Sequence, residues 1–174
     1  MSIDTLRSVL IAPFAILVVI AAVRDLTTFT IPNWISLALA GAFVPAAMAV
    51  GTPLPAIGLS VLVGVAMLVA GIVMFALRWI GGGDAKLMAA ASMWLGLQGL
   101  GPFVMFTGLA GGALALTLLA ARSSWVRPFA AVGPGWVDRL ATPGGATPYG
   151  VAIAVGALAA FPAGVLMGGT HIGF

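Results

Sequence analysis

Apolar runs long enough to cross a lipid bilayer follow one another along almost the whole chain, divided only by brief clusters of Pro, Gly and charge. Nothing else in the sequence constrains the fold as strongly. Hydrophobic residues fill 62% of the 174 positions and charged residues 6%, against roughly 25% charged in an ordinary soluble domain. A soluble domain of this size could not hide so much apolar surface. The sequence therefore predicts an integral membrane protein of the all-α class, a polytopic bundle of six transmembrane helices forming one membrane-embedded domain over residues 1–174.

Met1–Arg7 is a polar head, and Ser8–Val23 reads as helix 1, closed by Arg24-Asp25. A secretory signal peptide fits less well, because Asp4 stands near Arg7 and no small-residue cleavage site precedes a polar start. Asp25–Asn33 is a short connection in which Pro32 disfavours helix at Ile31. Asn33 is placed to cap helix 2, Trp34–Val50, with Trp34 as an interfacial anchor and Pro45 as a site for a kink. Helix 3 is Ala56–Leu77, where Gly64 and Gly71 offer close contact to a neighbour. The next apolar run is broken at Gly99-Leu100-Gly101-Pro102, which gives helix 4, Ala85–Gln98, and helix 5, Phe103–Ala121. Arg122–Thr147 is a long connection expected along the membrane surface, and Pro148–Met167 is helix 6.

The basic residues set the orientation. Alternate connections place Arg24, Arg78, Lys86, Arg122, Arg127 and Arg139 on one side and only Arg7 on the other. The positive-inside rule makes the first side cytoplasmic and leaves both termini outside. Asp25 and Asp84 then emerge on the same, cytoplasmic, side. Helix 4 is also short: at ~1.5 Å per residue it covers roughly 21 Å of a hydrocarbon core about 30 Å thick. Asp84 is thereby sunk below the membrane surface.

All four acidic residues of the chain are Asp. A carboxylate among three glycines and two apolar runs, as in Gly81-Gly82-Gly83-Asp84-Ala85-Lys86, is costly in a membrane and marks a functional site. Two such carboxyls that converge to about 3 Å cannot both ionise and share a proton. One then takes a proton from water while the other polarises the scissile carbonyl, which is aspartic peptidase chemistry. Asp84 begins a helix, where the dipole favours negative charge; Asp25 follows the end of one, where it does not. Asp84 is therefore expected to be the more ionised member of the resting pair. Gly81, Gly82 and Gly83 are expected to let backbone approach an extended substrate closely. Lys86, two positions from Asp84, turns to roughly the opposite side of the helix, to anchor at headgroups or to touch the mouth of the site. Asp138 beside Arg139 reads as solvated loop charge, Asp4 likewise, Tyr149 as an interfacial anchor, and His171 as a tail residue without a role.

Other chemistries are poorly supplied. The chain has no Cys, no Glu and one His, so thiol chemistry is excluded and no conventional metal site or cofactor is expected. Seven basic residues make a poor footprint for nucleic acid. Two rivals use the same aspartates differently: a small proton-coupled transporter with Asp25 and Asp84 as a relay, and a non-catalytic subunit of a secretion machine.

Three motifs in order resemble the prepilin peptidase family, the GxGD membrane aspartic peptidases. Gly81–Lys86 matches the family's G-x-G-D-x-K. Asp25 followed by Ile31-Pro32-Asn33 is similar to its first aspartate motif, and Thr147-Pro148-Tyr149-Gly150 with the apolar residues after it is similar to its last-helix signature. The resemblance implies cleavage of a short basic leader from prepilins or pseudopilins at the cytoplasmic face of the bacterial inner membrane. It implies Asp25 and Asp84 as catalytic residues, with Gly81, Gly82, Gly83, Lys86 and Asn33 contacting substrate. Larger members carry a further cytoplasmic domain after helix 1, often with a cysteine zinc site, and methylate the new terminus. Here only Asp25–Asn33 stands in that place, which implies a peptidase without methyltransferase activity, similar to the short Flp/Tad-pilus type. Archaeal preflagellin peptidases share the same motif logic.

Overall fold

The computed structural model describes residues 3–123, 125, 127 and 134–167, with side chains from Ala12 onward. His171 and the side chains of Asp4 and Arg7 lie outside the described residues. Among the described residues six α-helices follow in order: α1 Ile3–Thr28, α2 Asn33–Ala49, α3 Leu54–Ala76, α4 Gly82–Ala121, α5 Gly135–Ala141 and α6 Tyr149–Ala160. No strand occurs among the described residues. Of these helices, α3 and α4 are long and apolar enough to cross a membrane.

The helix ends differ from the expected ones where local chemistry overrules the hydrophobic run. The head is helical from Ile3, and α1 continues past Asp25 to Thr28. Thr27 and Thr28 there turn their hydroxyls back onto the carbonyls of Val23 and Arg24, at 2.7 Å each, so polar residues extend the helix. The chain then leaves through Phe29 at φ 54° and reaches Pro32, which starts α2. Asn33 does not cap α2; Pro32 holds that place, with no side-chain cap bond. Pro45 is accommodated inside α2.

The break expected at Gly99–Pro102 lies at Gly96 (φ 62°, ψ −168°), a backbone state open to glycine and closed to most side chains. There α4 folds back on itself. Met88 and Thr107 would stand roughly 28 Å apart along a straight helix, yet they wall the same cavity. The first arm runs antiparallel to α3: Cβ atoms at Gly71 and Gly64 would meet Ala85 and Met93, so both glycines make the close contacts expected of them. The second arm runs antiparallel to α6, with Gly156 against Thr107 and Gly111 against the Tyr149 ring. The Tyr149 ring is thus packed on the second arm of α4. Val165, beyond the 3-10 turn Phe161–Ala163 that ends α6, donates its N–H to the Leu95 carbonyl at 3.0 Å and locks the fold-back. The last helix is correspondingly shorter than Pro148–Met167.

Trp94, just before the fold-back, is fully buried. Its indole N–H donates to the Leu39 carbonyl at 2.9 Å, and its ring lies 5.3 Å from Phe14 and 6.0 Å from Phe43. Phe14 stacks in turn on Phe161 at 4.8 Å. This aromatic cluster ties α1, α2, α4 and the end of α6 at one end of the bundle. Apolar side chains also cover the outside: Ile16, Leu37, Leu62, Val69, Val104 and Leu116 are all exposed. A soluble surface rarely carries so continuous an apolar cover.

Candidate active site

The opposite end of the bundle holds the two aspartates with side chains in its interior, Asp25 and Asp84. Asp84 is the third residue of α4 and is buried, 8% exposed. Its Oδ2 accepts the N–H of Gly81 at 3.0 Å, the N-terminal cap position of its own helix. Its Oδ1 is buried with no hydrogen-bond partner among the described residues. Asp25, in the last turn of α1, is 6% exposed. Its Oδ2 accepts the N–H of Gly150 at 2.7 Å, across 125 residues. Each carboxyl therefore has one oxygen held by a backbone donor in the first turn of a helix, and the two lie within electrostatic reach of each other.

That arrangement changes the expected contrast between them. Asp25 does close α1, where a helix dipole opposes it. It also meets the start of α6, where the dipole favours it. The two aspartates are more alike in this respect than their own helices indicate.

Ile31 packs between the stretches that carry them. A Cβ at Gly83 would lie 3.0 Å from the Ile31 Cβ, and one at Gly150 would lie 2.9 Å from the Ile31 Cδ1. The α1–α2 connection is thus wedged between the residue before Asp84 and the donor to Asp25. A Cβ at Gly150 would also fall 2.9 Å from Asp25 Oδ2. The glycines allow close approach here, and at Gly83 the approaching residue is Ile31. Gly81 faces the Asp84 carboxyl and Gly82 the Phe75 ring.

Lys86 and Asn33 are also brought together. The Lys86 Nζ donates to Asn33 Oδ1 at 2.9 Å. As expected, Lys86 does not serve Asp84: its pairing with Asn33 lies in a groove on the other side of α4. On the Asp84 side a separate cavity of about 280 Å³ is walled by Ile80 and Tyr149, neighbours of the two donor glycines, and by Met88, one turn after Asp84.

Two arginines hold the frame. Arg122 donates to the carbonyls of Leu140, Gly145 and Ala146 at 2.9–3.0 Å, fixing the approach to Tyr149 and Gly150. Arg139 donates to the Thr27 carbonyl at 3.0 Å, neutralising the end of the helix that carries Asp25. The connection Arg122–Thr147 is therefore partly structural: it contains α5, whose Arg139 bonds to the end of α1. These contacts had no signal in the sequence, because an arginine bonding to carbonyls leaves no periodicity. The Gly150 donor was marked only as part of a motif. Among the described residues, no cluster of His, Cys, Asp and Glu could hold a metal ion.

Neither a curated protein nor a solved structure matches the chain. A family model does, over residues 12–116, a span that includes Asp25, Ile31 and the Gly81–Lys86 motif. The chain belongs to the type IV leader peptidase family, the prepilin peptidases.

Proposed function

We propose that this protein is a membrane aspartic endopeptidase that removes the leader of Flp-type prepilins or pseudopilins at the cytoplasmic face of the inner membrane, with Asp25 and Asp84 as the catalytic pair. The observation that carries this reading is a pair of buried carboxyls, one on α1 and one on α4, each held by one backbone N–H, with Ile31 packed against both Gly83 and Gly150 between them. One carboxyl is ionised and takes a proton from the attacking water. The other is protonated and donates to the carbonyl oxygen as it becomes tetrahedral. Collapse of that intermediate returns the hydroxyl proton to the second carboxyl and breaks the C–N bond, and the amine leaves with the proton first taken from water. The pair ends with one proton, as it began. The unpartnered Oδ1 of Asp84 suits a role in this exchange.

The bundle is read as six crossings in a single domain spanning residues 1–174: α1, α2, α3, the two arms of α4, and α6. Arg24, Arg78, Lys86, Arg122 and Arg139 belong to the connections and helix ends beside the aspartates, which supports a cytoplasmic site. Both termini then face the other side. Gly81, Gly82 and Gly83 keep the start of α4 narrow where an extended peptide would pass, and Lys86 and Asn33 contact that peptide beyond it. The short connection Phe29–Pro32 leaves no room for an inserted domain, which supports peptidase activity without methyl transfer.

The test is cleavage of a co-expressed prepilin by the Asp25→Asn and Asp84→Asn variants. Loss in both, with each variant inserted, supports the pair. Retained cleavage in either refutes it. A proton-coupled transporter would show pH-driven flux in liposomes and no peptide product, and an assembly subunit would tolerate both changes.

A further inference from the structure

The Asp25 carboxyl is held from outside its own helix. Among the described residues it has one hydrogen-bond donor, the Gly150 N–H at 2.7 Å. The place of that donor is set by residues 140–149, which lead from α5 into α6. They turn at Thr142-Pro143-Gly144-Gly145, where Gly144 takes φ 74° and the Gly145 N–H donates to the Thr142 carbonyl at 3.1 Å. Around this turn the carbonyls of Leu140, Gly145 and Ala146 all meet one guanidinium, that of Arg122. Arg122 is half-buried and closes the second arm of α4. Its Nε serves Leu140 and its Nη2 the other two, a fork that a lysine ammonium cannot reproduce.

The link from this grip to Gly150 is short and stiff. Thr147, Pro148 and Tyr149 alone separate Ala146 from Gly150. Pro148 is fully buried. At φ −75°, ψ 80° it centres a tight turn, closed by the Tyr149 N–H on the Thr147 carbonyl at 2.9 Å. The Tyr149 ring packs on Gly111, which stands ~16 Å back from Arg122 along the same arm. The second arm of α4 thus grips the link at two points, and the residue after Tyr149 is the donor. The same helix carries Asp84 in its first turn. One helix therefore bears one carboxyl and, through Arg122, sets the donor to the other.

We propose that Arg122 is a positioning residue for the reaction: by holding the carbonyls of Leu140, Gly145 and Ala146 it sets the Gly150 N–H on Asp25, and with it the placement of Asp25 relative to Asp84. This rests on the peptidase reading above. Arg122 bonds to neither carboxyl, so its effect falls on the chemical step and leaves substrate affinity alone. A reacting group misplaced by about 1 Å can cost about 10²-fold in rate.

The test uses purified enzyme and a purified prepilin in detergent, with rates expressed per folded enzyme. Arg122→Lys keeps the charge and loses the fork. It is expected to lower kcat about tenfold, and Arg122→Gln about 10–100-fold, each with KM within about twofold of normal. Arg122→Lys combined with Gly150→Ala should be about as slow as Gly150→Ala alone, because both changes act on one donor. Unchanged kcat in Arg122→Lys, a raised KM in its place, or losses that multiply in the double variant overturn the proposal. A second readout needs no substrate. In enzyme with carbon-13-labelled aspartate carboxyls, the Asp25 resonance should move in Arg122→Lys in the same direction as in Gly150→Ala, and further than that of Asp84. An Asp25 resonance that stays in place also overturns the proposal. Failure of the unaltered enzyme to cleave the prepilin counts against the peptidase reading, while the Asp25 resonance still decides whether Arg122 holds its donor.

Discussion

The two ends of the bundle are built on opposite principles. At the Trp94 end, four aromatic rings interlock and the single indole N–H is satisfied by a carbonyl. At the aspartate end, glycines replace side chains, a short connection is wedged between helices, and a carboxyl oxygen is buried without a partner. The first end is fully satisfied and holds the helices together. The second keeps polar capacity in reserve and depends on the first for its alignment. Stability and chemistry should therefore be separable by mutation.

The largest expected effect is chemical. Asp25→Asn or Asp84→Asn should lower cleavage by about 10³-fold or more, while thermal unfolding in detergent shifts little. The unaltered enzyme should show a bell-shaped pH–rate profile, since at low pH the pair lacks a base and at high pH it lacks an acid. Trp94→Ala should do the reverse, costing about 3–5 kcal/mol of stability by opening a cavity, read from chemical denaturation in detergent. Where that variant remains folded, its cleavage rate should stay close to normal; a loss as large as that of the aspartate variants would break the division between the ends. Gly150→Ala should shift Asp25 off its donor and reduce kcat about 10–100-fold with a small change in stability. Gly96→Ala forces a side chain into a positive φ and against Val165, and should cost about 1–2 kcal/mol with the site intact.

Much of this layout was legible in the residues, and what was not has physical causes. Apolar runs and Pro/Gly punctuation locate four of the five connections, because every crossing segment must satisfy its own backbone. The placement of Asp25 and Asp84 at one end followed from alternation of helix direction alone. The fold-back was misplaced to Gly99–Pro102 because Pro102 is the louder signal, yet proline is accepted early in the second arm and the reversal needs the positive φ of Gly96. Asn33 looked like a cap and is instead the acceptor for Lys86, a contact across 53 residues that no local pattern encodes. The same holds for Gly150, whose N–H reaches Asp25 only once α1 and α6 are packed antiparallel. Ser36 and Thr107, both buried with hydroxyls unpartnered among the described residues, read as ordinary helix residues until the neighbouring helices are in place.

The coupling of the two carboxyls is the claim most open to direct measurement. The chain holds four Asp and no Glu, so carbon-13 labelling of aspartate carboxyls gives a sparse NMR spectrum. Two of the resonances should titrate in linked, well-separated steps, and replacing either Asp25 or Asp84 by Asn should collapse the other's titration to a single step. Titration of each that is indifferent to replacement of the other would contradict a shared proton, and with it the catalytic pair.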